Sequence, residues 1–211
     1  MKKLVVNFKA YEESTGASAV ELARKIAGAS SEVILCPQYF DIKEIAGLGN
    51  PAYAQHVDAK TFGSRTGWIV PEAVKAAGAV GTLINHSEHT IGLDKVGEVV
   101  KRCREAGLQS LVCVPDVASV AEAVRLEPDM IAIEPPELIG SGISVSQSQP
   151  ELIEDAVKNA GGVTLLCGAG VSTAEDVKSA IALGAEGVLV ASAIVKSPEP
   201  EKLVADMVKE L

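Results

Sequence analysis

The chain has 211 residues, a mass of 21.8 kDa, 19 basic against 28 acidic residues and a formal charge of −9. Surface scaling gives a folded area of roughly 9,000 Å² against roughly 32,000 Å² unfolded, ample for one core and thin for two, so residues 1–211 are read as a single domain. An apolar content of 47% excludes a wholly disordered chain, and an acidic surface excludes a general affinity for phosphate backbones, so no nucleic acid is expected as a partner.

Aromatic residues are only 3%, with 19 Gly and 10 Pro, which predicts an aliphatic core and many turns. The cysteines at 36, 103, 113 and 167 form no CxxC pair, and the three histidines do not stand at metal spacing. No disulfide framework and no metal are expected, and a reducing cytoplasm fits best. The apolar run after Lys2-Lys3 breaks within four residues, so neither a signal peptide nor a membrane contact is predicted.

In chain order, short aliphatic runs predict strands at Lys3–Val6, Glu32–Cys36, Ala52–Val57, Val80–Ile84, Gln109–Val114, Met130–Ile133, Val163–Cys167 and Val188–Val190. The third is the weakest. Several are solidly apolar, as strands covered on both faces are. Between them, 3.6-residue periodicity predicts helices over Ser18–Ala27, Leu93–Ala106, Glu151–Asn159, Thr173–Leu183 and Glu201–Leu211. Pro71 suits a first turn, Asp116 an N-cap, and Ser172 with Glu175 a capping box. Gly28, Gly78, Gly107, Gly161 and Gly184 are expected to end helices in the left-handed conformation.

Eight strand–helix units in one domain read as a short (β/α)8 barrel, an α/β fold. A doubly wound open sheet would need fewer strands and usually an early GxGxxG, which does not follow the first strand. In a barrel the chemistry gathers at the C-terminal ends of the strands. Here those ends carry Asn7-Phe8-Lys9, Asn85-His86-Ser87-Glu88, Glu134-Pro135-Pro136, Gly168-Ala169-Gly170 and Ala191-Ser192. A lysine after a buried strand suits a fixed cation. A histidine there can donate to oxygen, and a carboxylate among aliphatic strand ends has the raised pKa of a general base. The two glycine-rich or small-residue turns suit a phosphate held by backbone N–H groups. Ile139-Gly-Ser-Gly-Ile143 has the composition of a lid that lowers an apolar residue over a substrate.

With these residues in place, the whole chain resembles the triosephosphate isomerase family in its compact archaeal type. The marks are Asn7-x-Lys9, Gly81-Thr-Leu-Ile-Asn-His-Ser-Glu88, Ile133-Glu-Pro-Pro-Glu-Leu-Ile-Gly-Ser-Gly142, Cys167-Gly-Ala-Gly-Val171 and Leu189-Val-Ala-Ser192. The resemblance implies interconversion of dihydroxyacetone phosphate and D-glyceraldehyde 3-phosphate in glycolysis and gluconeogenesis, without a cofactor. It implies Asn7 and Lys9 as substrate contacts, His86 as the electrophile and Glu134 as the base, with Glu88 behind them holding Lys9. It implies a lid over Pro135–Gly142, and phosphate contacts from Ile139, Gly140, Gly168 or Gly170, Ala191 and Ser192. A homodimer or homotetramer is implied as well, meeting through the loop Thr61-Phe-Gly-Ser-Arg-Thr-Gly-Trp68, where Arg65 and Trp68 depart from the family's usual residues. His89, Ser141 and Ala193 are milder departures. A helix start just beyond His86 is expected to hold its imidazole neutral. The rivals are another phosphate-binding barrel enzyme, or a non-catalytic sugar-phosphate binder on the same scaffold; the presence of Glu134, needed for proton transfer but not for binding, speaks against the second.

Overall fold

The computed structural model describes residues 2–138 and 144–211. Its eight parallel strands are β1 (Lys3–Asn7), β2 (Val33–Cys36), β3 (Tyr53–Ala54), β4 (Gly81–Ile84), β5 (Gln109–Val114), β6 (Met130–Ile133), β7 (Thr164–Cys167) and β8 (Gly187–Val190). They pair in the order β2-β1-β8-β7-β6-β5-β4-β3. A single bridge between Leu35 and Ala52 joins β2 to β3, so the sheet closes on itself as a (β/α)8 barrel.

Among the described residues the helices are α1 (Ala17–Ile26), α2 (Ile42–Ala46), α3 (Pro71–Ala76), α4 (Leu93–Ala106), α5 (Val117–Val124), α6 (Val145–Ser148), α7 (Pro150–Asn159), α8 (Ala174–Ala182), α9 (Ser192–Val195) and α10 (Pro200–Lys209). Short 3₁₀ turns cover Glu12–Ser14 and Pro136–Leu138. α2, α6 and α9 are only one turn or slightly more, which is how eight units fit into 211 residues. No helix among the described residues is long and apolar enough to cross a membrane.

The alternation along each strand divides the core. Leu4, Val6, Val33, Leu35, Ile131 and Ile133 face outward into a layer shared with helix residues such as Leu22, Val99 and Ile153. Val5, Ile34, Leu83, Leu111, Met130 and Leu166 belong to a separate cluster made of strand residues alone, the barrel interior. Tyr53 is the largest side chain there, fully buried, with its hydroxyl donating to Gln109 Oε1 at 2.6 Å. It fills the barrel over Gly81, where a Cβ would stand 2.5 Å from the ring.

Local signals and structure agree at Asp116, whose carboxylate accepts from Ser119 N at 2.8 Å, and at Pro71, the first residue of α3. The five helix-ending glycines all have positive φ. Two expectations are corrected. The third strand shrinks to Tyr53–Ala54, because beyond it the Gln55 side chain replaces ladder bonds, donating to the Lys9 and Cys36 carbonyls at 2.9 and 3.0 Å. The capping box of α8 is Thr173 with Asp176, not Ser172 with Glu175. Thr173 is the last residue with extended dihedrals (φ −131°, ψ 165°), and the sequence Ser-Thr-Ala-Glu-Asp offers both registers equally.

Candidate active site

The C-terminal mouth of the barrel holds a cavity of about 470 Å³, lined by Asn7, Lys9, Tyr11, His86, Glu88, Glu134, Gly168, Gly170, Ala191 and Ser192 among others. Side chains from three strand ends and backbone from two more thus face one space. Ile139 and Gly140, expected to contact phosphate, lie outside the described residues, as do Ser141 and Gly142.

Lys9 follows β1 with φ +50°, a left-handed conformation that non-glycine residues seldom adopt. Asn7 supports it, its side-chain oxygen accepting the Lys9 N–H at 3.0 Å. The turn aims the ammonium at Glu88, with Nζ 2.8 Å from Oε1. The other Glu88 oxygen lies 3.8 Å from His86 Nδ1.

His86 stands at the end of β4 after Asn85, which also has positive φ (62°). Asn85 stabilises its own turn: its oxygen accepts from Ile91 N at 2.9 Å and its amide donates to the Cys113 carbonyl at 3.1 Å. The Glu88 N–H donates to His86 Nδ1 at 3.1 Å. That bond requires a lone pair on Nδ1, so the proton of a neutral ring sits on Nε2. α4 does not begin until Leu93, so the single amide of Glu88, and not a helix N-terminus, sets the tautomer. Burial, aided by the Lys9 ammonium and opposed by the Glu88 carboxylate, holds the imidazole pKa down at about 4.

Glu134 follows β6 and is 4% exposed. Its Oε1 is 3.5 Å from His86 Nε2, and its Oε2 is buried without a partner among the described residues. Burial raises its pKa to about 7, against the lowering effects of a hydrogen bond from the Cys113 thiol and of the Lys9 charge. A carboxyl that titrates near neutrality, with one oxygen unengaged, is suited to taking and returning a proton.

The two glycines of the β7 turn differ in what they do. The Gly168 N–H is engaged by the Ile133 carbonyl at 2.9 Å. Its importance is steric, because a Cβ there would lie 2.6 Å from Glu134 Cγ. The N–H groups of Gly170, Ala191 and Ser192 donate to no acceptor among the described residues, and all three residues line the cavity. Three unpaired amides at the edge of one pocket are hydrogen-bond donors of the kind an anion can use.

Reading the sequence alone misses four residues of this site: Gln55 beneath Lys9, Cys113 beside Glu134, Tyr11 at the cavity edge and Asp176 behind the β7 turn. Gln55, Cys113 and Tyr11 carry no local motif, since each acts by contact with a distant element, and Asp176 is hidden by the choice of capping register. Trp68 is about half exposed, with the Lys60 ammonium 4.8 Å over its ring. His89 stacks on His56, with centroids 4.2 Å apart. The described residues contain no group of three metal-ligating side chains placed to hold an ion.

The sequence model of the family described as triosephosphate isomerase matches residues 2–210. The triosephosphate isomerase of Methanobacterium bryantii is 45% identical over 217 residues, covering 99% of this chain and 96% of the relative. That of Sulfurisphaera tokodaii is 47% identical over 213 residues, covering 97% and 93%. A crystal structure of triosephosphate isomerase from Bartonella henselae superposes with a TM-score of 0.78 over 99% of this chain and 98% of that one; at 18% identity it supports the fold. The chain belongs to the triosephosphate isomerase family.

Proposed function

We propose that Glu134 carries the proton, and His86 and Lys9 stabilise the charge, in the isomerisation of dihydroxyacetone phosphate to D-glyceraldehyde 3-phosphate that this enzyme catalyses. One observation carries the assignment: the Lys9 ammonium, the Glu88 carboxylate, the His86 ring and the Glu134 carboxylate form a continuous chain of contacts of 2.8, 3.8 and 3.5 Å along one cavity. Glu134 removes a proton from C1 of the ketose and returns it to C2. The electron pair left on carbon delocalises onto the carbonyl oxygen as an enediolate. Lys9 balances that charge, and the Nε2–H of the neutral His86 donates to one oxygen and then recovers a proton from the other. A neutral imidazole suits this exchange because its acidity is closer to that of the enediol than an imidazolium's is. Asn7 holds Lys9 in place. The Gly170, Ala191 and Ser192 amides bind the phosphate, which leaves Gly168 as the residue that makes room for the base.

The test is a coupled assay with D-glyceraldehyde 3-phosphate, reading the dihydroxyacetone phosphate formed, with Glu134→Gln beside the native enzyme. Rapid turnover lost in the variant supports both the reaction and its base. Binding of inorganic phosphate without turnover would turn the reading toward a sugar-phosphate binder.

The same family reading extends to assembly. Phe40, Phe62 and Trp68 are three of the four Phe and Trp residues in the chain, and all are at least half exposed. We place a second copy of the chain over these exposed apolar side chains as a homodimer or homotetramer. Sedimentation is expected to give a multiple of 21.8 kDa, and Phe62→Ser with Trp68→Ser to lower it. A native mass of one chain would overturn the assembly. Four buried, unpaired cysteines support a reducing, cytoplasmic setting.

A further inference from the structure

Asp176 lies at the third position of α8, buried at 4% exposure, and its carboxylate has five donors. Oδ2 accepts from Ser172 N at 2.9 Å, Ser172 Oγ at 3.2 Å, Thr173 N at 2.8 Å and Thr173 Oγ1 at 2.9 Å. Oδ1 accepts from Gln147 Nε2 at 2.7 Å. A capping box needs only the bond to the N-cap amide, so the others exceed what starting a helix requires.

The consequence for the pocket is specific. Ser172 lines the cavity, but its N–H and that of Thr173 are turned onto the Asp176 carboxylate. A negative charge therefore occupies the start of α8, and a phosphate must be received one turn earlier, where the Gly170 N–H is unengaged. Meanwhile Gln147 lies in α6, which closes the segment leading on from Glu134. The Asp176 carbonyl accepts from Ser146 Oγ at 3.2 Å, and the Val145 N–H donates to the Ala169 carbonyl at 3.2 Å. One buried carboxylate thus joins the β7 turn to α6.

We propose that Asp176 is a positioning residue for phosphate recognition, fixing the Ser172–Thr173 end of the β7 turn directly and registering it against α6 through Gln147. The inference rests on the phosphate assignment made above. It predicts that binding energy from the phosphate reaches the reacting carbons only while this carboxylate holds both segments.

The experiment compares kcat/KM for D-glyceraldehyde 3-phosphate with kcat/KM for D-glyceraldehyde, and measures inhibition by inorganic phosphate, in the native enzyme, Asp176→Asn and Gln147→Ala. The expected result is a fall of about tenfold in the ratio of the two kcat/KM values, with a similar weakening of phosphate inhibition, the size that loss of one charged hydrogen bond produces. A purely structural role would lower both substrates together. Unchanged ratios and unchanged phosphate inhibition in folded variants would overturn the proposal. Gln147 is on the surface, outside the capping box, so Gln147→Ala decides the question even where Asp176→Asn does not fold. Failure of the native enzyme to isomerise the phosphorylated triose would instead bring down the functional reading itself.

Discussion

His86 Nε2 and Glu134 Oε1 stand 3.5 Å apart, both groups almost fully buried, and both are held neutral by that burial over part of the pH range in which the protein is folded. The separation exceeds an ordinary hydrogen bond and leaves each group able to turn to a substrate atom. Desolvation moves the two pKa values in opposite senses, the imidazole down to about 4 and the carboxyl up to about 7. Between those values the histidine is an uncharged donor, and the glutamate is charged only as the pH approaches neutrality.

Glu134→Gln is expected to remove turnover by several orders of magnitude and to stabilise the fold at high pH. The carboxyl pKa rises from 4.5 to about 7 on folding, so its contribution is complete below 4.5 and is lost as pH rises through about 7. The loss amounts to about 3 kcal/mol above that point. Glutamine stays neutral and avoids it. Thermal unfolding of the two proteins should therefore coincide near pH 4, diverge between about pH 4.5 and 7 and stay apart above pH 7, with the variant more stable.

The rate should follow the same titration. With Glu134 as base, kcat/KM is expected to fall about tenfold per pH unit below about 7, with no further histidine limb until about pH 4. The substrate phosphate titrates near pH 6 and adds its own bend. D-Glyceraldehyde lacks that group, so a limb near 7 seen with both substrates belongs to the enzyme. Cys113→Ala removes a contact that lowers the Glu134 pKa and should shift the limb to higher pH.

Gly168→Ala tests the steric assignment. The added methyl carbon would lie 2.6 Å from Glu134 Cγ and 3.3 Å from Cδ, so the base has to move. Displacement of a reacting group by about 1 Å costs on the order of 100-fold in rate. We expect that loss in kcat with phosphate inhibition nearly preserved, because the Gly168 amide is bonded to Ile133 and does not face an anion. Equal losses in both would show that Gly168 serves the phosphate after all.

Lys9→Ala should impair binding and turnover together if, as proposed, its ammonium acts on both the substrate and the enediolate. It also leaves Glu88 without its 2.8 Å partner and His86 without a charge that lowers its pKa. The histidine pKa is expected to rise in the variant. Following the His86 ring signals by NMR across pH 4 to 7 checks this, and an unmoved titration would argue that burial alone sets the value.

The sequence by itself determined the barrel, because eight aliphatic runs separated by helical periods and Gly turns leave few ways to cover both faces of every strand. Leu93–Ala106, long and strongly periodic, and Gln109–Val114, a short, mostly apolar run, were legible to the residue. So was the company of Asn7, Lys9, His86 and Glu134, because parallel βα units all present their strand ends at one rim. What depended on contact between distant segments was decided only by the tertiary structure. The division of labour between Gly168 and Gly170 turns on Ile133 and Glu134 at the end of β6, while the choice of Thr173 with Asp176 as the cap and the tautomer of His86 turn on backbone angles that set contacts three and two residues apart and that no periodicity records. Gln55 and Cys113 enter the site through bonds to Lys9 and Glu134 that span 46 residues and 21 residues of chain. Periodicity records which face of an element is buried, whereas a pKa or a hydrogen-bond partner is set by what that burial brings near.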